Sequence, residues 1–211
     1  MNVLIEKSSK TYEERMRNWV QIALEEGVRF FLTSLGNPRW VVETVRPHGG
    51  LVYHDVTERK WALKALEADV DGLICVNERA GGHAGQRSAE RLMADLKDIQ
   101  AQGKPLICAG GVGDPETFKA MLDLGYDGVQ MGTRFIASSE CASHSDYKQA
   151  VVQAKAEDIV MTDRLSGTPC AVIKTPSVEK MRLKTSPVEH FLLKNRRTKY
   201  LMRTLFALSS I

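Results

Sequence analysis

Short apolar runs alternate along this chain with longer stretches in which apolar residues recur every three to four positions. The short runs cover 2–5, 29–33, 51–54, 72–76, 105–109 and 128–131, and are rich in Val, Ile and Leu. Each is largely apolar on both faces. That pattern predicts strands covered by helices on one side and by further core on the other. The longer stretches predict amphipathic helices with readable ends. Residues 12–26 place Met16, Val20 and Ala23 on one face and stop at Gly27. Thr57 is placed to cap a helix carrying Trp61, Ala65 and Leu66, and Ser88 one carrying Leu92 and Leu96. Asp114-Pro115-Glu116 is a strong helix start, an acid cap followed by a proline whose missing N–H costs nothing. Phe118, Met121 and Leu122 are then expected to face inward, with Gly125 ending the helix.

Strand, helix, strand, repeated at about 20–30 residues, predicts a parallel α/β sheet with right-handed crossovers. The steady repeat favours a TIM-type (β/α) barrel over an open sheet. After Met131 the rhythm changes. Residues 145–157 read as helix, and 159–162 and 171–174 as two short strands about a turn at Ser166-Gly167-Thr168-Pro169. The expected division is a partial barrel over 1–140, a helix and β-hairpin insertion over 141–179, and a basic helical tail over 180–211. Six strands are found where a closed barrel needs eight, so the first two βα units are expected to be missing.

Composition bounds the picture. The 211 residues are 43% hydrophobic and 26% charged, with a net charge of +3, as in ordinary globular domains. No apolar run reaches the roughly 18 residues a membrane helix needs, so a cytoplasmic protein without membrane partners is expected. From Lys180 onward eight Lys or Arg face one acid, Glu189. Nucleic acid or an acidic membrane surface could attract such a tail. Its charges are interleaved at helical spacing with Phe191, Leu192, Tyr200, Leu201 and Leu205. A helix docked by its apolar face is therefore the better expectation, and no nucleic-acid partner is expected. The cysteines Cys75, Cys108, Cys141 and Cys170 form no CxxC pair, and Cys75 and Cys108 read as buried thiols. No histidine pair has metal-ligand spacing, so no metal is expected. A Walker lysine and a GxSxG elbow are also absent.

In parallel α/β folds ligands sit at the carboxyl ends of the strands. After the fifth run comes Ala109-Gly110-Gly111-Val112-Gly113-Asp114. Glycines there let backbone approach an anion, towards which the first N–H groups of the following helix are expected to point. After the sixth run comes Gln130-Met131-Gly132-Thr133-Arg134-Phe135, which adds backbone donors and a hydroxyl. Two such loops after the last strands predict a phosphate site. After the fourth run, Ala80-Gly81-Gly82-His83-Ala84-Gly85 exposes a histidine between glycines. Histidine suits proton transfer near neutral pH, so His83 is the candidate catalytic residue. His54 also ends a run, either as a site residue or as a hydrogen-bonded rim residue. Ser34-Leu35-Gly36-Asn37-Pro38 follows the second run and could line the site.

Together these motifs resemble the nitronate monooxygenase (2-nitropropane dioxygenase) family, to which flavin-dependent enoyl-ACP reductases are related. The stretch from Ala80 to Gly85 looks like the family's glycine-flanked histidine motif. Ala109-Gly110-Gly111 and the run from Gln130 to Phe135 look like its two FMN-phosphate loops. Asn2-Val3-Leu4 resembles its third strand, and the loop 34–38 the one after its fourth. The resemblance implies an FMN-dependent oxidoreductase that oxidises alkyl nitronates with O2. Gly82, Gly110, Gly111, Gln130, Met131, Gly132 and Thr133 would line the FMN site, most of them at the phosphate, and Asn2 would meet the isoalloxazine ring. His83 would orient the nitro group and remove the α-proton of neutral nitroalkanes. The family's first two βα units have no counterpart here. The expectation is a fragment or truncated gene model, or a second copy of the chain covering the open edge. Two alternatives stand beside this reading: an NAD(P)H-dependent enoyl reductase on the same scaffold, and a truncated, inactive FMN-binding fragment.

Overall fold

The computed structural model of the chain describes residues 1–5, 10–164, 168–180, 183–194 and 198. They fall into two compact units, Met1–Glu78 with Gln86–Gln130, and Arg79–Gly85 with the chain from Met131 onward. In the first unit β1 (Asn2–Leu4), α1 (Lys10–Glu25), β2 (Phe30–Ser34), α2 (Arg39–Val45), β3 (Leu51–Val56), α3 (Arg59–Leu66) and β4 (Gly72–Val76) follow one another. The short β5 (Gly82–His83) belongs to the second unit. The first resumes with α4 (Ala89–Gln100), β6 (Leu106–Ala109), α5 (Pro115–Leu124) and β7 (Gly128–Gln130).

The six strands of the first unit form one parallel sheet in the order β1-β2-β3-β4-β6-β7. Each strand therefore lies beside its predecessor, the arrangement of consecutive (β/α) units in a barrel. All six expected strands are present. The sheet does not close on itself among the described residues, and β1 and β7 are its edges. Two register locks repeat along it. Asp71 gives its N–H to Val52 O and accepts Val52 N–H on its carboxylate at 2.8 Å. Asp127 does the same with Leu106, also at 2.8 Å on the carboxylate. In both places an Asp-Gly pair opens the next strand and staples it to the one before.

Successive strand residues point to opposite faces, and the two faces differ. Val3, Phe31, Val52, Val56, Leu73, Cys75, Leu106 and Cys108 share one apolar core with Val20 of α1, Val42 of α2, Ala62 of α3 and Leu92 and Leu96 of α4. This is the helix-covered face. Leu92 and Leu96 are fully buried there, each worth roughly 1.5–3 kcal/mol in apolar burial. The other face carries Leu4, Phe30, Tyr53, Asp55, Ile74 and Gln130. Leu4, Phe30 and Leu51 stay 45–49% exposed on it. Phe30 meets Tyr53 edge-on at 5.1 Å between ring centroids. The Tyr53 ring also lies against Gly72, where an added Cβ would come within 2.5 Å of it.

The helix ends follow local chemistry. Ser88 caps α4, its Oγ accepting Arg91 N–H at 3.3 Å. Gly125 ends α5 with φ 110°, a conformation glycine adopts at little cost. Three expectations need correction. Thr57 does not cap α3. The cap position is Glu58, without a side-chain bond. Phe118 and Leu122 do not face inward but are 39% and 40% exposed. Met121 and Leu124 are the α5 residues that pack on the core. The helix α2 fills a stretch between β2 and β3 for which no element was predicted.

In the second unit α6 (Thr133–Ile136) and α7 (Ser145–Gln153) precede β8 (Ile159–Thr162) and β9 (Cys170–Ile173), with α8 (Pro176–Lys180) and α9 (Pro187–Lys194) after them. β8 and β9 form the expected antiparallel pair. β5 adds to the free side of β9, giving a three-stranded sheet in the order β5-β9-β8. Phe191 on α9 is exposed. Tyr200, Leu201 and Leu205 of the expected docking face lie outside the described residues.

Candidate functional site

In the first unit the loop after β6 is held by the residue after β4. Asn77 is buried; its N–H donates to Ala109 O at 3.0 Å and its Nδ2 to Gly110 O at 2.9 Å. A trans peptide points its C=O and N–H in opposite directions. Tying the Gly110 carbonyl back to Asn77 therefore turns the Gly111 N–H away from it. Gly110 and Gly111 have φ of 116° and 74°, backbone that side-chain-bearing residues rarely adopt. The amides of Gly111 and Val112 find no hydrogen-bond partner among the described residues. The result is a side-chain-free turn with two adjacent donors, the chemistry of an anion cradle.

The start of α5 takes a different part from the one expected of it. Asp114 Oδ1 accepts Thr117 N–H at 2.7 Å, and Thr117 Oγ1 accepts the N–H groups of Gly113 and Asp114 at 3.3 Å. This capping box uses the first donors of the helix. It also sets a carboxylate there, held below the usual range by the Thr117 N–H. A phosphate would be repelled at that point, so the donors available for an anion are the loop amides ahead of the helix.

Asn2 lies on β1, exposed, on the face opposite the helices. Gln130 closes β7 on the same face, half-buried. Ser34 ends β2 there too. The loop beyond it is tight, since a Cβ on Gly36 would sit 2.4 Å from Ile5 O, and Leu35 is held at φ 62°. His54 is on the other side of the sheet. It is buried, and its Nδ1 lies 2.8 Å from Thr33 Oγ1. Thr33 gives its one hydroxyl proton to Tyr53 O at 3.0 Å, so the imidazole donates from Nδ1 to Thr33. Burial lowers the His54 pKa to about 4. His54 is thus a neutral, hydrogen-bonded residue of the helix-covered core.

In the second unit His83 is exposed on β5, paired with Cys170, while Gly82 pairs with Ala171. Ala84 N–H reaches Pro169 O at 3.4 Å. The hairpin after α7 therefore fixes the backbone that presents the histidine. Gly81 lies against Thr133, and a Cβ at Gly81 would fall 2.6 Å from Thr133 Oγ1. The glycine-flanked histidine segment and the segment Met131-Gly132-Thr133 are thus neighbours within this unit. An added Cβ on Gly82 or Gly132 would meet nothing within 4 Å, so both leave open space. Among the described residues there is no cluster of acidic, histidine or cysteine side chains able to hold a metal. No helix among them is long and apolar enough to cross a membrane.

Two structural features escaped the sequence reading: Asn77, which pins the loop after β6, and Asp55, the carboxyl on the open face of β3. Only Asn77 carried a signal, a buried-type polar residue between a wholly apolar strand and the glycine motif.

Known proteins resemble the chain along most of its length. A (3aS,4S,5R,7aS)-5-hydroxy-7a-methyl-1-oxo-octahydro-1H-indene-4-carboxyl-CoA dehydrogenase of Mycobacterium tuberculosis is 31% identical over 77% of the chain and 46% of its own length. A probable nitronate monooxygenase of Staphylococcus saprophyticus is 27% identical over 92% of the chain and 57% of its own. The chain thus spans about half the length of these relatives. The structure of FabK from Thermotoga maritima superposes with a TM-score of 0.76 at 27% identity, over 98% of the chain and 60% of FabK. A family profile described as nitronate monooxygenase matches residues 2–207. The chain belongs to the nitronate monooxygenase family.

Proposed function

We propose that the chain is an FMN-dependent oxidoreductase that oxidises alkyl nitronates with O2. The observation that carries this reading is the Gly110-Gly111 turn, pinned through Asn77 and offering neighbouring unpartnered amides. The residues fit the group. Backbone amides suit a phosphate monoester, no carboxylate lies between Gly110 and Gly113, and Gly132 leaves room for an approaching ligand. In the first unit Gly110, Gly111 and Gln130 would serve the phosphate and Asn2 the ring; in the second, Met131, Gly132 and Thr133 would serve the phosphate and Gly82 the ring. Bound FMN supplies the redox chemistry between nitronate and O2. The chain positions the substrate and moves its proton. The His83 imidazole accepts the α-proton of a neutral nitroalkane and, once protonated, donates a hydrogen bond to a nitro oxygen. Gly82 beside it, without a side chain, leaves the approach to that imidazole clear.

Purified protein is expected to carry flavin absorbance in the visible, or to take up FMN on reconstitution. Colourless protein that cannot be reconstituted sinks the reading. A second reading, an NAD(P)H-dependent enoyl reductase, is favoured by the likeness to FabK over 98% of the chain. It requires that NADH or NADPH bleach the flavin rapidly without oxygen, and no bleaching with either excludes it.

A further inference from the structure

Asp55 is the one charged residue that β2, β3 and β4 place on the open face of the sheet. It is the penultimate residue of β3 and has Ile74 as its partner on β4. It points away from the helices, because its neighbours Val52 and Val56 join the helix-covered core and side chains alternate. β2 contributes Phe30, Leu32 and Ser34 to this face, and β4 contributes Gly72, Ile74 and Val76, none of them charged. On β3 itself the titratable neighbour on the same face is Tyr53, whose pKa is raised chiefly by burial. His54 and Cys75 belong to the opposite face, against which α2 and α3 also pack. The Asp55 carboxyl is half-buried, forms no hydrogen bond or ion pair among the described residues, and is pushed up to about 7 by burial.

An ionised carboxylate is costly in such a place unless something pairs with it. The uncharged acid is the cheaper form, and it is a hydrogen-bond donor. At the carboxyl end of its strand, on the face opposite the helices, it stands where parallel α/β architectures bind substrates. We propose that Asp55 is a specificity-determining residue for the oxidation proposed above, donating its acid O–H to a substrate oxygen that bears negative charge, a nitronate oxygen. The inference rests on the flavin-enzyme reading. An apolar setting that keeps a carboxylic acid protonated makes it an oxyanion ligand. Once ionised, the same group repels the same anion.

The test uses FMN-loaded full chain, with propyl-2-nitronate as substrate and nitrate, a planar trigonal anion, as an unreactive mimic. The KM for the nitronate is expected to rise about tenfold from pH 6 to pH 8 as an acid of pKa near 7 ionises. In Asp55→Asn, which keeps a donor and cannot ionise, it stays flat. In Asp55→Leu it is high at both pH values. Carboxyl 13C NMR, with the Asp55 signal assigned by its loss in Asp55→Asn, should titrate near 7 and shift upward on adding nitrate. A flat KM in the unmodified protein overturns the assignment. So does a KM that falls with pH, a carboxyl titrating in the ordinary range, or one that ignores nitrate. Failure to load FMN is visible beforehand as colourless protein and overturns the parent reading instead.

Discussion

At Asn77 one side chain governs the backbone on which the proposed phosphate site depends. Asn77→Ala removes the donor to Gly110 O and leaves that carbonyl without its partner. A loss of about 1–3 kcal/mol is expected for an unsatisfied buried group, read as a lower midpoint in urea, together with weaker FMN retention. Unchanged stability and retention would mean that the loop holds its own shape. The His83 prediction is kinetic. His83→Ala should lower kcat/KM for neutral nitroalkanes by roughly 10²–10⁴-fold, with a smaller loss on preformed nitronates, which need no deprotonation. Rates left unchanged by the substitution on both substrates would remove His83 from the mechanism. His83 was singled out by its glycine neighbours. Asn77 was not, because what matters is a carbonyl thirty-three residues further along the chain.

Strand β3 shows how far a pattern can be read. Its extent was nearly legible from the run at 51–54, and His54 at its end stood open as either a site residue or a hydrogen-bonded rim residue. Which face each residue serves depends on the register with β2 and β4, and a shift of one residue exchanges the faces. The structure turns His54 into the core and Asp55 outward. The two carry opposite linkages. His54, with its folded pKa lowered to about 4, withdraws stability as pH falls from about 6.5 to 4, because the unfolded chain binds the proton first. Asp55, raised to about 7, adds stability as pH falls from 7 towards 4, because the folded chain binds it first. The two slopes oppose one another. Unfolding midpoints of Asp55→Asn should therefore fall more steeply between pH 6.5 and 4 than those of the parent. Parallel curves would show that Asp55 keeps an ordinary pKa. The helix α2 hid for another reason. Arg39-Trp40-Val41-Val42-Glu43-Thr44-Val45 is rich in β-branched residues, which favour strands, and only tertiary burial of Val41, Val42 and Val45 makes it helical.

At the scale of the whole molecule, the six-stranded parallel order was legible because each strand lies beside its neighbour in sequence and repeats one construction. The pairing of β5 with β9 was not, since two residues around a glycine carry no strand pattern and their partner lies almost ninety residues away. The contact of Gly81 with Thr133 is likewise a property of the folded chain. Where the sequence supplied motifs, the fold supplied the orientation that gives them meaning, as with the capping box that turns the α5 terminus from an anion site into a carboxylate seat.

The Tyr53 ring laid against Gly72 bears on depth. Two residues along a strand span roughly 7 Å, so the phenol forms a floor about one rung beneath Asp55. That floor is a side chain resting where glycine has none, not a loop or a turn of main chain. For a substrate held at Asp55 as proposed, residue 53 would set the depth available on the open face, and trimming that one ring would lower the floor while leaving the strands that carry it in place.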